Sequence, residues 1–160
     1  TAAAALAYPE LGHLVVVEAL APVIEWHRRG LVPNGDTLRT DARCEFHSAD
    51  FFALARANGF HPERAHHRFD AILLDVDHTP EQLLNSSHAD LYTRAGLERL
   101  SAFIKPGGVF ALWSNDAPEA WFLERLSKVF AESGGHEVHF DNPLQGRTVS
   151  NGVYLAQKKA

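Results

Sequence analysis

Four carboxylates stand where strand-like runs of this chain end. The run from His13 to Glu18 closes on Glu18, that from Arg43 to Asp50 on Asp50, and that from Phe69 to Asp77 on Asp75 and Asp77. In open α/β sheets, ligands bind in the crevice beyond the carboxyl ends of the strands, so the acids are expected along one edge. Such an edge suits ribose hydroxyls, an exocyclic amine or a cationic centre, and it disfavours a bare phosphate. Trp113-Ser114-Asn115-Asp116 follows a further strand toward the same edge, which makes Ser114 and Asn115 candidates for a second-substrate pocket; a helix cap before Pro118 reads equally well. Taken singly the acids have plainer roles, Glu18 as a solvated strand end, Asp50 as a helix N-cap, Asp75 and Asp77 as caps of the turn before Thr79-Pro80. Their joint placement favours a site.

The elements that would hold these groups alternate between strand and helix. Thr1 to Ala7 is helical by propensity, and Tyr8 to Gly12 is a turn. Leu14 to Val17 is a continuous apolar run of the kind buried on both faces of a parallel sheet. A helix follows around Pro22 and stops at Gly30, with Trp26 among its core positions. Residues 31–42 read as a polar loop. Arg43 to Ala49 is a strand, Asp50 to Ala57 a capped helix, and Ala71 to Leu74 another buried strand. Thr79-Pro80 reads as a helix start, Thr93 to Ile104 as a helix closed by Lys105-Pro106-Gly107-Gly108, Val109 to Trp113 as a strand, and Pro118 to Ala131 as a helix stopped by Gly134-Gly135. His136 to Phe140 and Gly152 to Gln157 are expected to be antiparallel strands, since the link between them is too short for a parallel crossover. The alternation predicts an α/β fold with a mostly parallel sheet.

Composition sets outer bounds. The chain has 160 residues, 46% hydrophobic and 22% charged, with a net charge of -5, the profile of an ordinary globular domain. Without a dense basic run, nucleic acid is not an expected partner. No apolar run reaches the roughly 18 residues of a membrane span, and a single cysteine, Cys44, fits a small core residue in the reducing cytoplasm. Of ten histidines, His61, His66 and His67 share one loop, but their spacing matches no metal motif and Arg64 and Arg68 oppose a cation, so no metal is expected.

Val15-Val16-Val17-Glu18, His47-Ser48-Ala49-Asp50-Phe51-Phe52, Phe69-Asp70-Ala71-Ile72-Leu73-Leu74-Asp75, Leu91-Tyr92-Thr93 and Ile104-Lys105-Pro106-Gly107-Gly108-Val109, in this order and spacing, resemble the catalytic domain of spermidine synthase-like proteins, polyamine aminopropyltransferases within the class I S-adenosylmethionine-dependent methyltransferase superfamily. The similarity covers nearly the whole chain. It implies a Rossmann-like three-layer sandwich, a mostly parallel sheet with an antiparallel C-terminal strand. It also implies that Glu18 holds the ribose hydroxyls of a sulfonium nucleoside, that Asp50 accepts from the adenine amine, and that the Phe51 backbone lies near the ring. Asp75 would sit beside the sulfonium and the attacking amine as the catalytic residue, with Asp77, Tyr92, Ser114 and Asn115 toward the substrate. The co-substrate would be decarboxylated S-adenosylmethionine or S-adenosylmethionine, and the acceptor a polyamine or other amine.

The chain also departs from that family. The glycine-rich turn after the family's first strand would precede Thr1, so residues 1–160 are expected to form a single N-terminally truncated domain lacking that strand and loop. The inner sheet edges left unpaired predict a homo-oligomer. His78 stands where aminopropyltransferases carry a second aspartate, and Asn151-Gly152 replaces an aromatic and glycine pair. Three readings therefore stay open: aminopropyl transfer, methyl transfer to a small molecule, and a non-catalytic nucleoside-binding relative.

Overall fold

Alanine has the highest intrinsic helix propensity, and Ala2–Leu6 forms α1. The computed structural model, which describes residues 1–144 and 146–160, divides into two units, Thr1–His67 and Arg68–Ala160. In the first unit β1 (Leu14–Glu18) and β2 (Cys44–Ser48) pair in parallel, from Leu14 opposite Cys44 to Glu18 opposite Ser48. β1 is only half-buried along its length, against the two-sided burial its apolar run predicts, because its sheet has just two strands. α2 (Ala21–Arg28) starts with a proline in its first turn and ends before Gly30, whose φ of 64° stops the helix.

Residues 31–42 are not all loop. Gly35–Thr40 forms α3, with Asp36 in its first turn bonded to Arg39 one turn later at 2.7 Å. Its one buried apolar side chain, Leu38, gives too little periodicity to reveal a helix in sequence. α4 (Phe51–Arg56) forms where expected. Leu6, Ile24, Leu38, Phe52 and Phe60 are buried in this unit, whereas Trp26 is 47% exposed. Two residues along a helix rotate the side chain by about 200°, so Ile24 facing inward turns Trp26 out. Arg43 latches the unit together: its guanidinium donates to the carbonyls of Leu6, Tyr8 and Leu11 and to the Asp41 carboxylate.

The second unit is built on four strands, β3 (Phe69–Leu74), β4 (Ile104–Ser114), β5 (Glu132–Asn142) and β6 (Arg147–Gln157), in the order β3-β4-β6-β5. β3 runs parallel to β4, and β6 is antiparallel to both β4 and β5, as the short final link requires. β3 is covered on one face only: Ile72 and Leu74 are buried while Leu73 is 49% exposed. Lys105 to Gly108 becomes a bulge inside β4, since Phe69 pairs with Ile104 but Ala71 with Val109.

The terminal hairpin is longer than its sequence suggests, pairing continuously from Glu132 opposite Gln157 to Asn142 opposite Arg147. Gly134-Gly135 does not mark a helix stop. It lies within β5, where a Cβ on Gly135 would fall 2.5 Å from the Pro118 ring.

α5 (Arg94–Ala102) is capped by the Thr93 hydroxyl, which accepts from Gly96 N–H at 3.0 Å. α6 (Ala120–Ser127) is shorter than the expected span of 118–131. No helix starts at Thr79-Pro80. The Thr79 hydroxyl accepts from the N–H groups of Glu81 and Gln82 in a turn, Leu84 N–H is drawn to Asp77, and a 3-10 helix spans Ser86–Asp90. Phe122 centres the core, its ring edge-on to Tyr154 at 5.0 Å and to Tyr92 at 5.6 Å. Among the described residues no helix is long and apolar enough to cross a membrane.

Candidate functional site

In the first unit the parallel register places Glu18 and Asp50 at the carboxyl ends of neighbouring strands. Such strands lie about 4.8 Å apart, and Ala49 N–H donates to the Glu18 carbonyl at 3.1 Å, which ties the two ends together. Glu18 Oε1 accepts from Leu20 N–H at 2.8 Å. Asp50 is exposed and caps α4, its Oδ1 accepting from Phe52 N–H at 2.8 Å and Ala53 N–H at 3.2 Å. These contacts use one oxygen of each acid, and the second stays free of hydrogen bonds among the described residues. Phe51, the first residue of α4, is half-buried, its ring stacked on Phe60 at 4.6 Å.

In the second unit Asp75 and Asp77 part company. Asp75 is the first residue beyond β3; it is exposed, and its carboxylate makes no hydrogen bond or ion pair among the described residues. Asp77 is 1% exposed. Its Oδ1 accepts from Leu84 N–H and lies 2.8 Å from His88 Nδ1, and its Oδ2 accepts from the Tyr92 hydroxyl at 2.8 Å. Burial, and then the neighbouring Asp77 charge, push the Tyr92 hydroxyl well above its ordinary range, so it stays a donor. Asp77 and Tyr92, expected toward a substrate, face each other inside the unit instead. A buried carboxylate needs its donors, and this one takes three from the segment that follows it.

The end of β4 adjoins this loop. Asn115 N–H donates to the His78 carbonyl at 2.6 Å, fastening the segment after Asp75. Ser114 is fully buried, and its hydroxyl has no partner among the described residues. A groove of about 670 Å³ opens beyond, lined by Trp113, Asn115, Asp116, Phe140, Arg147 and Asn151 among others. Asn115 is the one expected substrate-side residue on this wall. Phe140 closes an expected strand and Arg147 lies in the expected link after it; neither was singled out as a site residue, because only the pairing that extends the hairpin to Asn142 and Arg147 brings them to this wall. Gly152 has a packing reason: a Cβ there would lie 2.3 Å from the Asp116 carbonyl. Glu119 was also missed. Burial raises its carboxyl above the usual range, and the nearby acids Glu81 and Asp116 push the same way.

No protein-family profile matches the chain. Solved structures do. A spermidine synthase bound to the transition-state analogue AdoDATO aligns with a TM-score of 0.67 and 22% identity, over 96% of this chain and 49% of that one. A spermidine synthase from Thermotoga maritima aligns at 0.62 and 20%, over 96% and 48%. Human methyltransferase-like protein 13 in complex with SAH aligns at 0.52 and 20%, over 98% and 79%. The chain therefore spans about half the length of the spermidine synthases it resembles. At these identities the likeness establishes the fold: Rossmann-like α/β of the class I methyltransferase type, with a mostly parallel sheet and an antiparallel last strand.

Proposed function

We propose that the protein binds a sulfonium nucleoside and transfers an alkyl group from it to an amine, with aminopropyl transfer from decarboxylated S-adenosylmethionine to a polyamine as the leading reaction. The observation that carries this reading is the exposed carboxylate of Asp75 at the carboxyl end of β3, unpaired among the described residues. The amine nitrogen attacks the carbon beside the sulfonium, the carbon–sulfur bond breaks, and methylthioadenosine leaves. Asp75 orients the amine, stabilises its developing charge and accepts its proton. Glu18 holds the ribose hydroxyls and Asp50 accepts from the adenine amine through the oxygens that their backbone contacts leave free, with the Phe51 backbone beside the ring. Asn115 and the adjoining groove take the acceptor side, and Asp77 with Tyr92 positions the loop that carries Asp75. No metal enters the transfer, and the cytoplasm is the compartment. Two kinds of solved neighbour support the reading, one bound to AdoDATO and one to SAH.

A second reading, methyl transfer from S-adenosylmethionine to a small amine, is favoured by one observation. With His78 in place of a second aspartate and Asp77 committed to Leu84, His88 and Tyr92, Asp75 is the one of the two aspartates directly after β3 that remains open to a cation. A two-ended polyamine would want two anions. Incubation with each donor and a diamine separates the readings: release of methylthioadenosine from the decarboxylated donor supports aminopropyl transfer, and release of S-adenosylhomocysteine from the intact donor supports methyl transfer. Turnover of neither donor contradicts both.

A further inference from the structure

Three side chains that the proposed transfer does not use meet in the first unit, at the opposite end of the β1/β2 ladder from Glu18 and Asp50. His13 immediately precedes β1, Glu45 is the second residue of β2, and His61 follows Phe60, whose carbonyl is tied to His47 Nδ1 at 3.0 Å. His13 Nε2 and Glu45 Oε2 are 3.3 Å apart. Two ligand atoms bound to tetrahedral zinc at about 2.0–2.1 Å are themselves separated by about 3.3 Å, so this pair already has the bite of the metal. One donor atom from each of His13, Glu45 and His61 lies within 4.8 Å of the others, which leaves His61 to close by at most about 1.5 Å to complete a tetrahedral face. The positions 13, 45 and 61 are too scattered for a sequence motif, which is why the spacing within the His61–His67 loop pointed away from a metal.

We propose that His13, Glu45 and His61 form a His₂Glu site for a divalent transition metal of the zinc class, which clamps the loop carrying His61 to the amino end of the β1/β2 sheet. Two nitrogens and one carboxylate oxygen are a donor set that zinc accepts, with a fourth position left to water. The hydrogen bonds of His61 identify what must move. Nδ1 accepts from the N–H groups of Glu63 and Arg64 at 3.1 and 3.2 Å, and Nε2 lies 2.8 Å from Arg64 Nε. A neutral imidazole has one N–H and one lone pair, so its two nitrogens cannot both accept, and one set of contacts yields in any case. Metal at Nε2 sends the exposed Arg64 side chain into solvent, puts the proton on Nδ1 and loosens the two backbone contacts.

Calorimetric titration of the protein with zinc chloride at pH 7 tests this. The expected result is one saturable site, weakened at least about 10-fold by each of His13→Ala, Glu45→Gln and His61→Ala and unchanged by His136→Ala on the exposed face of β5. The amide resonances of Glu63 and Arg64 should shift with the first equivalent of zinc and not with magnesium. Absence of saturable zinc binding overturns the proposal. So does zinc binding that all three variants retain, which assigns the metal to other histidines.

Discussion

Asp75 and Asp77 are two positions apart and both follow β3, yet among the described residues one is exposed without a partner and the other is buried under three. The difference assigns their roles. Asp75→Asn keeps the shape and removes the proton acceptor, so turnover should fall about 10²–10⁴-fold, which steady-state kinetics at saturating donor checks. Tyr92→Phe removes a donor from a buried carboxylate and should cost about 1.5–3 kcal/mol of stability, measured by urea unfolding. Aminopropyl transfer also needs a deprotonated amine, whose ordinary pKa is about 10.4. Its rate should climb between pH 7 and 9, whereas a rate that falls over that range opposes the amine as nucleophile. At this scale the sequence located the acids by strand ends and could not say which were free. Glu18 was legible as a solvated strand end and Asp50 as a helix cap, each beside a ligand role, and the hydrogen bonds leave one carboxylate oxygen of each acid free among the described residues. Asp77 could not be sorted from Asp75, because burial depends on Leu84, His88 and Tyr92 folding back on it.

Among the elements, those with long apolar runs or clear caps were legible. β1, β2, the Asp50-capped α4 and the Thr93-capped α5 fall where their sequences place them. The misreadings came where tertiary contact overrides a local signal, as when Pro118 packs against Gly135 and keeps a Gly-Gly pair extended. The Arg43 latch is a further example, since three of its carbonyl partners lie more than 30 residues away. It leaves a pH signature. Arg43 hydrogen bonds hold the Asp41 carboxyl at about 2, below its ordinary 3.8. A depressed folded-state pKa gives stability that is fully present above the unfolded value and is lost as pH falls through the folded one. The latch should therefore weaken between about pH 4 and pH 2. NMR titration of the Asp41 carboxyl should give a midpoint near the lower value, and Arg43→Gln should return it toward the ordinary one.

For the whole molecule, strand pairing raises a consequence beyond the site. β1, β2, β3 and β5 each have a neighbour on one side only among the described residues. β5 is eleven residues long, with Val138 and Phe140 more than 40% exposed. Open edges of this kind template pairing with another chain, so the 160-residue chain should self-associate. Light scattering behind size exclusion checks this, and a strictly monomeric species at all concentrations contradicts it. The class I methyltransferase fold was legible from the alternation of elements and the reversed final strand, both of which depend on chain connectivity. The two-strand and four-strand sheets were not, since strand order depends on contacts between distant segments.

The central claim is that acids at strand ends receive a sulfonium nucleoside, and calorimetric titration of the protein with S-adenosylmethionine, decarboxylated S-adenosylmethionine and methylthioadenosine tests it most directly. At least one of the three should bind saturably, with affinity weakened about 10-fold or more by Glu18→Gln through loss of a charged hydrogen bond to the ribose. Failure of all three to bind, or binding that Glu18→Gln leaves untouched, would contradict it.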